Sequence, residues 1–221
     1  MDITKLFSLE GRVALVTGGS KNLGRHIAEG FIAQGAKVYI SSRKADACAQ
    51  TAEELGLNCI ALPMDVSSVE GCKALAAAFA AREEKLDILV NNAGAAWGGP
   101  FEDFPEVGWD KVMDLNVKSL FFLTQALIAP LRAAAKARPA KVINIASIDG
   151  ISVNMLETYS YAASKAGLIH LTRRMALRLI EDNIVMSAIA PVATPKVPLK
   201  KPLMMRMTMA VARFGAKAKA T

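Results

Sequence analysis

The stretch Val142–Lys165, VINIASIDGISVNMLETYSYAASK, decides how the rest of the chain is read. Its first five residues, Val142–Ala146, form an apolar run rich in β-branched side chains, the pattern of a buried strand. That strand delivers Ser147 at its carboxyl end, where open α/β sheets place their ligands. Tyr161 and Lys165 follow four residues apart, so on a helix they lie about 40° apart on one face. A phenol and an ammonium group there can share one ligand. A free tyrosine titrates near 10, and a fixed positive charge beside it favours the phenolate. Lys165 would supply that charge. Ser147 would hydrogen-bond a carbonyl or alcohol oxygen while Tyr161 exchanges a proton with it. Tyr159 stands about 240° round the helix from Lys165, and His170 falls nearly opposite Tyr161. Neither is expected to take part. Taken alone, a tyrosine with a lysine four residues on is also the pattern of an ordinary amphipathic pair.

Working outward, Arg12–Thr17 is a first buried strand that runs into the glycine turn Gly18, Gly19, Ser20, Lys21, Asn22, Leu23, Gly24 and a helix to about Gln34. Strand, glycine turn and helix in that order present backbone amides and a helix amino terminus to a phosphate. The next strand, Lys37–Ser41, ends in Ser42, Arg43 and Lys44 with no carboxylate. A free ribose 2′-hydroxyl usually meets an acid at that place, whereas a 2′-phosphate needs positive charge. Ser42, Arg43 and Lys21 therefore point to NADP(H). A helix over 44–55, a strand Cys59–Pro63 ending at Asp65 and Val66, and a helix over 68–83 come next. A fourth strand, Leu86–Val90, delivers Asn91, Asn92, Ala93 and Gly94, small enough in part for a cofactor ring to approach the backbone. Helices over 106–116 and 117–137, joined through a bend, hold Asn116 in an otherwise apolar run. A strand Ile184–Ala190 follows the helix of Tyr161. The alternation predicts a parallel sheet covered by helices on both faces.

Composition narrows the function classes. The 221 residues are 52% apolar, enough for one domain with a large core. No apolar run approaches the roughly 18 residues of a membrane span, and the amino terminus lacks a signal-peptide layout, so a cytoplasmic protein without membrane partners is expected. Cys48, Cys59 and Cys72 have no metal-site spacing. They read as reduced packing residues, and no metal is expected. The net charge is +7, but 1–182 are balanced. The whole excess sits in 183–221, which contain seven basic residues and no acid. A neutral body without a basic stripe gives no nucleic-acid signal.

With TGGSKNLG (Thr17–Gly24), NNAG (Asn91–Gly94), Asn116, Ser147 and YAASK (Tyr161–Lys165) in order, the chain over about 8–191 resembles the short-chain dehydrogenase/reductase family. The resemblance implies a Rossmann-type doubly wound sheet of seven strands and a catalytic tetrad of Asn116, Ser147, Tyr161 and Lys165. It further implies cofactor contacts at Gly18, Ser20, Lys21, Leu23, Gly24, Arg43, Asp65, Val66, Asn92, Tyr161 and Lys165, with Lys165 also holding the nicotinamide ribose. NNAGAAWG, GWDKVMDLNV and VINIASIDGIS are most similar to 3-oxoacyl reductases of the rhamnolipid-pathway type, which implies reduction of a 3-oxoacyl thioester by NADPH. Trp97, Phe101, Met155 and Leu156 are then candidate pocket residues. Asn22 replaces the family's middle glycine, and asparagine tolerates a left-handed backbone.

The segment 192–221 departs from the family. It carries Pro195, Pro198 and Pro202, four methionines and only basic charge. It is expected to form neither the seventh strand nor a substrate lid, which puts the family's homo-oligomer in doubt. The abrupt change of composition leads us to expect a shift of reading frame near Pro191. Two rival functions follow: a nucleotide-binding remnant that turns nothing over, and a basic-tailed adaptor for acidic partners.

Overall fold

The computed structural model describes residues 6–192. The expectations for the basic tail, beyond Val192, fall outside the described residues. Six strands form one parallel sheet: β1 Val13–Thr17, β2 Lys37–Ser41, β3 Cys59–Ala61, β4 Ile88–Asn91, β5 Ala140–Ile145 and β6 Ile184–Ile189. Their spatial order is β3-β2-β1-β4-β5-β6. Strand order therefore reverses between β1 and β4, which opens a crevice at their carboxyl ends. The register places Val16 beside Ile40 and Val90, and Asn91 beside Asn144.

The strands are apolar runs because helices cover both faces. On one face Leu15, Tyr39, Leu89, Val142 and Met186 pack with Leu75, Phe79, Leu123, Leu131 and Leu179. On the other, Val16, Val38, Ile40 and Val90 pack with Ala28, Cys48 and Ala52. All three cysteines are free and buried, and burial pushes the Cys59 and Cys72 thiols up to about 11. They are inert packing residues, as the sequence implied.

The helices are α1 Asn22–Ala33, α2 Ala45–Leu55, α3 Val69–Ala80, α4 Glu106–Met113, α5 Ser119–Ala126, α6 Ile128–Ala135 and α7 Tyr159–Leu179. The bend expected after Asn116 lies elsewhere. Residues Asp114–Lys118 form a π-helical turn that continues α4 into α5, and the 58° break comes at Leu127. Pro130 explains the break, because its ring opposes the carbonyl four residues back and it has no N–H to give. Among the described residues no single helix is long and apolar enough to cross a membrane.

Candidate active site

At the reversal of strand order, Thr17 is a hub. Its Oγ1 accepts from the backbone N–H groups of Asn92 and Ala93, each at 3.0 Å. The Asn92 side chain donates to the carbonyls of Thr17 (2.9 Å) and Gly18 (3.2 Å). Gly18 turns the chain at φ +65°, and Asn22 sits at φ 48°, the left-handed backbone expected of it. Gly24 begins α1 so close beneath this turn that a Cβ would stand 2.2 Å from the Gly18 carbonyl oxygen. The β1 end and the start of α1 are thereby held together.

A cleft of about 350 Å³ runs along these strand ends. Of the predicted cofactor residues, Gly18, Ser20, Lys21, Ser42, Arg43, Asp65, Val66 and Gly94 line it. Asn22, Leu23 and Gly24 shape the turn behind it, and Asn92 spends its amide hydrogens bracing Gly18 and Thr17. Ser41, Lys44 and Met64 also line the cleft and were not anticipated. The Ser41 hydroxyl is buried without a partner. Lys21, Arg43 and Lys44 form no ion pair among the described residues. A glycine turn at the start of a helix, an orphaned hydroxyl and three cations without an ion pair among the described residues fit a phosphorylated dinucleotide.

Gly94 joins this cleft to the second half of the site. A Cβ there would lie 3.2 Å from Asn116 Oδ1 and 3.8 Å from Lys165 Nζ. Asn116 is wholly buried in the π turn. Its Oδ1 accepts from Ala95 N–H at 2.8 Å, while Nδ2 donates to the Ala95 carbonyl at 2.8 Å and to Ser164 Oγ at 3.0 Å. Ser164 in turn donates to the Tyr161 carbonyl at 2.7 Å. Asn116 thus ties the loop after β4 to α7, and the extra residue of the π turn aims its side chain there. Ser164 escaped the sequence reading, although it lies inside YAASK.

Ser147 continues β5 and caps a short 3₁₀ turn, its Oγ accepting from Asp149 N–H at 3.2 Å. Its hydroxyl proton remains free to donate. Tyr161 is half-exposed, and its hydroxyl makes no hydrogen bond with another described residue. The Lys165 ammonium lies 5.5 Å from the Tyr161 ring centroid and donates to the Ile145 carbonyl at 2.7 Å. Burial lowers its pKa to about 8. Tyr159 faces away, as its helical angle implied. It packs edge-on against Phe101 and Phe104 and donates to Glu157 at 3.0 Å. His170 is exposed on the far side of α7.

The apolar residues divide. Phe101, Met155 and Leu156 are exposed. Trp97 is packed instead: a Cβ on Gly108 would stand 2.7 Å from its ring, and Lys111 Nζ lies 5.3 Å from its centroid. No cluster of three metal-ligating side chains occurs among the described residues.

The profile of the family described as short chain dehydrogenase matches residues 12–205, and the chain belongs to that family. Among curated proteins, the rhamnolipids biosynthesis 3-oxoacyl-(acyl-carrier-protein) reductase of Pseudomonas aeruginosa is 48% identical over 188 residues, covering 84% of this chain and 73% of that protein. The 2-dehydro-3-deoxy-D-gluconate 5-dehydrogenase of Escherichia coli is 37% identical over 190 residues, covering 86% and 74%. A solved Pseudomonas aeruginosa RhlG/NADP active-site complex superposes with a TM-score of 0.83 at 47% identity, over 86% of this chain and 75% of that one.

Proposed function

We propose that this protein is an NADPH-dependent reductase that converts the carbonyl of a 3-oxoacyl thioester to a secondary alcohol. The observation that carries this reading is one continuous arrangement: Gly94 links a cleft with three cations that form no ion pair among the described residues to Lys165, and Lys165 lies beside the Tyr161 ring and is tied to the strand that leads to Ser147. The 48% identical relative, named a 3-oxoacyl reductase, and the similar structure titled as an NADP complex support it. Lys21, Arg43 and Lys44 would hold the 2′-phosphate, with Ser41 and Ser42 as neutral partners. The amides of the Gly18–Leu23 turn would hold the pyrophosphate at the start of α1. Bound NADPH supplies the hydride that reduces the carbonyl carbon.

This chain's own residues handle the oxygen. Ser147 donates its free hydroxyl proton as a hydrogen bond to the substrate carbonyl and fixes its direction. Tyr161 delivers the phenol proton to that oxygen as negative charge builds there, so the carbonyl gains one hydrogen at carbon and one at oxygen. The Lys165 ammonium, held by the Ile145 carbonyl, supplies positive charge beside the ring. Asn116 fixes Ala95 and Ser164, and through them the loop after β4 and the Tyr161 turn. Phe101, Met155 and Leu156 offer apolar surface for an acyl chain.

The test is oxidation of NADPH against a panel of short and medium 3-oxoacyl thioesters and simple ketones. Turnover fastest with the thioesters is expected. Turnover confined to simple ketones would overturn the substrate class. Tight NADPH binding with no turnover on any member would favour the remnant, and absence of NADPH binding would favour the adaptor.

A further inference from the structure

The geometry points to a positioning role for Asn144: with Thr172 it latches the helix of Tyr161 and Lys165 to the strand that delivers Ser147. This inference rests on the reductase reading above. The reacting side chains stand on two elements, Ser147 on the extension of β5 and Tyr161 with Lys165 on α7. Their mutual distances are therefore the register of one helix on one strand. Misplacement by about 1 Å costs on the order of a hundredfold in rate.

Two ties set that register. One is Lys165 Nζ to the Ile145 carbonyl, 2.7 Å, but the same ammonium is asked to serve the phenol and the cofactor. The other engages no reacting group. Asn144, next to Ile145 and three residues before Ser147, donates from Nδ2 to Thr172 Oγ1 at 2.9 Å. Thr172 lies seven residues after Lys165, about two helical turns on, along the same buried stripe as Leu168.

Thr172 gives its own hydroxyl proton to the Leu168 carbonyl at 2.7 Å, and its oxygen accepts from Asn144. The Asn144 Oδ1 accepts from Asn91 Nδ2 at 2.8 Å, and Asn91 Nδ2 also donates to Thr124 Oγ1 at 3.3 Å. Thr124 is committed likewise, to the Leu120 carbonyl at 2.7 Å. Turning the Asn144 amide over would set donor against donor at Asn91 and acceptor against acceptor at Thr172. All four side chains are buried within the apolar layer, where apolar residues of like shape would pack without needing partners. A directional polar chain there, in which Asn91 Oδ1 alone lacks a partner among the described residues, fixes position more than it adds attraction.

The experiment uses the full chain, with Asn144→Leu and Thr172→Val as latch variants and Thr172→Ser as the conservative rescue. Thr124→Val is the control, since it removes a bond from the same network without touching α7. The latch variants should lower kcat about ten- to a hundredfold with the NADPH Kd unchanged. The double variant should be no slower than the slower single one, because both remove one contact. Thr172→Ser and Thr124→Val should keep kcat within about twofold. Amides of residues 159–168 should exchange hydrogen faster in both latch variants than in the wild type or the control. Unchanged kcat in the latch variants, or an equal loss in Thr124→Val, overturns the latch. A wild type that binds NADPH yet turns nothing over sinks the reductase reading instead. Hydrogen exchange then decides the latch, and unaltered protection of 159–168 overturns it.

Discussion

Lys165 is the residue where stability and chemistry oppose each other. Burial sets its folded pKa at about 8 against an ordinary 10.5. Below about pH 8 both folded and unfolded chains carry the proton, and the fold bears the whole cost of the buried charge. Between those two values the unfolded chain holds more protons, so stability rises with pH by at most about 3 kcal/mol before levelling off. Lys165→Met should lack that rise, which urea midpoints measured from neutral pH to about pH 10 would reveal; parallel slopes for the two proteins would contradict it. Tyr161 separates chemistry from binding. Removing only its hydroxyl, Tyr161→Phe should cut turnover by at least about a hundredfold while NADPH, titrated by its fluorescence, binds as before. Arg43 separates the two nicotinamide cofactors. It is exposed at the cleft rim and forms no ion pair among the described residues, and a charge-assisted bond to the 2′-phosphate is worth about 1.5–3 kcal/mol. Arg43→Asp should weaken NADPH by about ten- to a hundredfold and leave NADH equal or tighter, with both dissociation constants measured at one salt concentration.

Helix α1 shows how one element treats two glycines differently. A Cβ at Gly24 would collide with the Gly18 carbonyl and the Asn92 amide, whereas a Cβ at Gly30 would meet nothing within 4 Å. Gly30→Ala should therefore stabilise the protein by about 0.5–1 kcal/mol. Gly24→Ala should destabilise it and abolish NADPH binding, so thermal melts of the pair should move in opposite directions. Elements of this kind were legible in the sequence because their signals are local. The runs VALVT, KVYIS and IVMSAI announce buried strands, and the spacing of Tyr161 and Lys165 announces a shared face. The π turn at Asp114–Lys118 was not legible, since its one extra residue is invisible to a 3.6-residue period. The helix break follows from Pro130, whereas Asn116, a polar residue in an apolar run, signals a bend about ten residues too early. That Asn92 braces Thr17 and Gly18 was not legible either, since which carbonyls a side-chain amide reaches depends on two strands brought together by the fold. Ser41 went unnoticed for the same reason: a serine ending a strand signals nothing until its hydroxyl is found buried and unpaired.

At the scale of the whole molecule, the sheet is finished at one end more completely than at the other. Around β1, β2 and β4 both faces are sealed, but Ile143, Val185, Ser187 and Ile189 are only half-buried on one face of β5 and β6. Among the described residues no strand pairs with the outer edge of β6. That edge runs Ile184–Ile189, IVMSAI, with no charge and no proline to discourage a neighbour. Unpaired N–H and C=O groups flanked by apolar side chains are a template for edge-to-edge association, and a single lysine is the usual protection. Val185 is the position for it. Its partner in register is Lys141, so a second basic residue there adds like charge along the strip, while the long stem can carry its ammonium out to water. Val185→Lys should lower light scattering as the protein is concentrated and leave NADPH affinity unchanged, because the cleft lies across β4 and β5 from this edge. If scattering is unaltered and the variant melts several degrees lower, the edge is already covered in the intact chain and Val185 belongs to that contact.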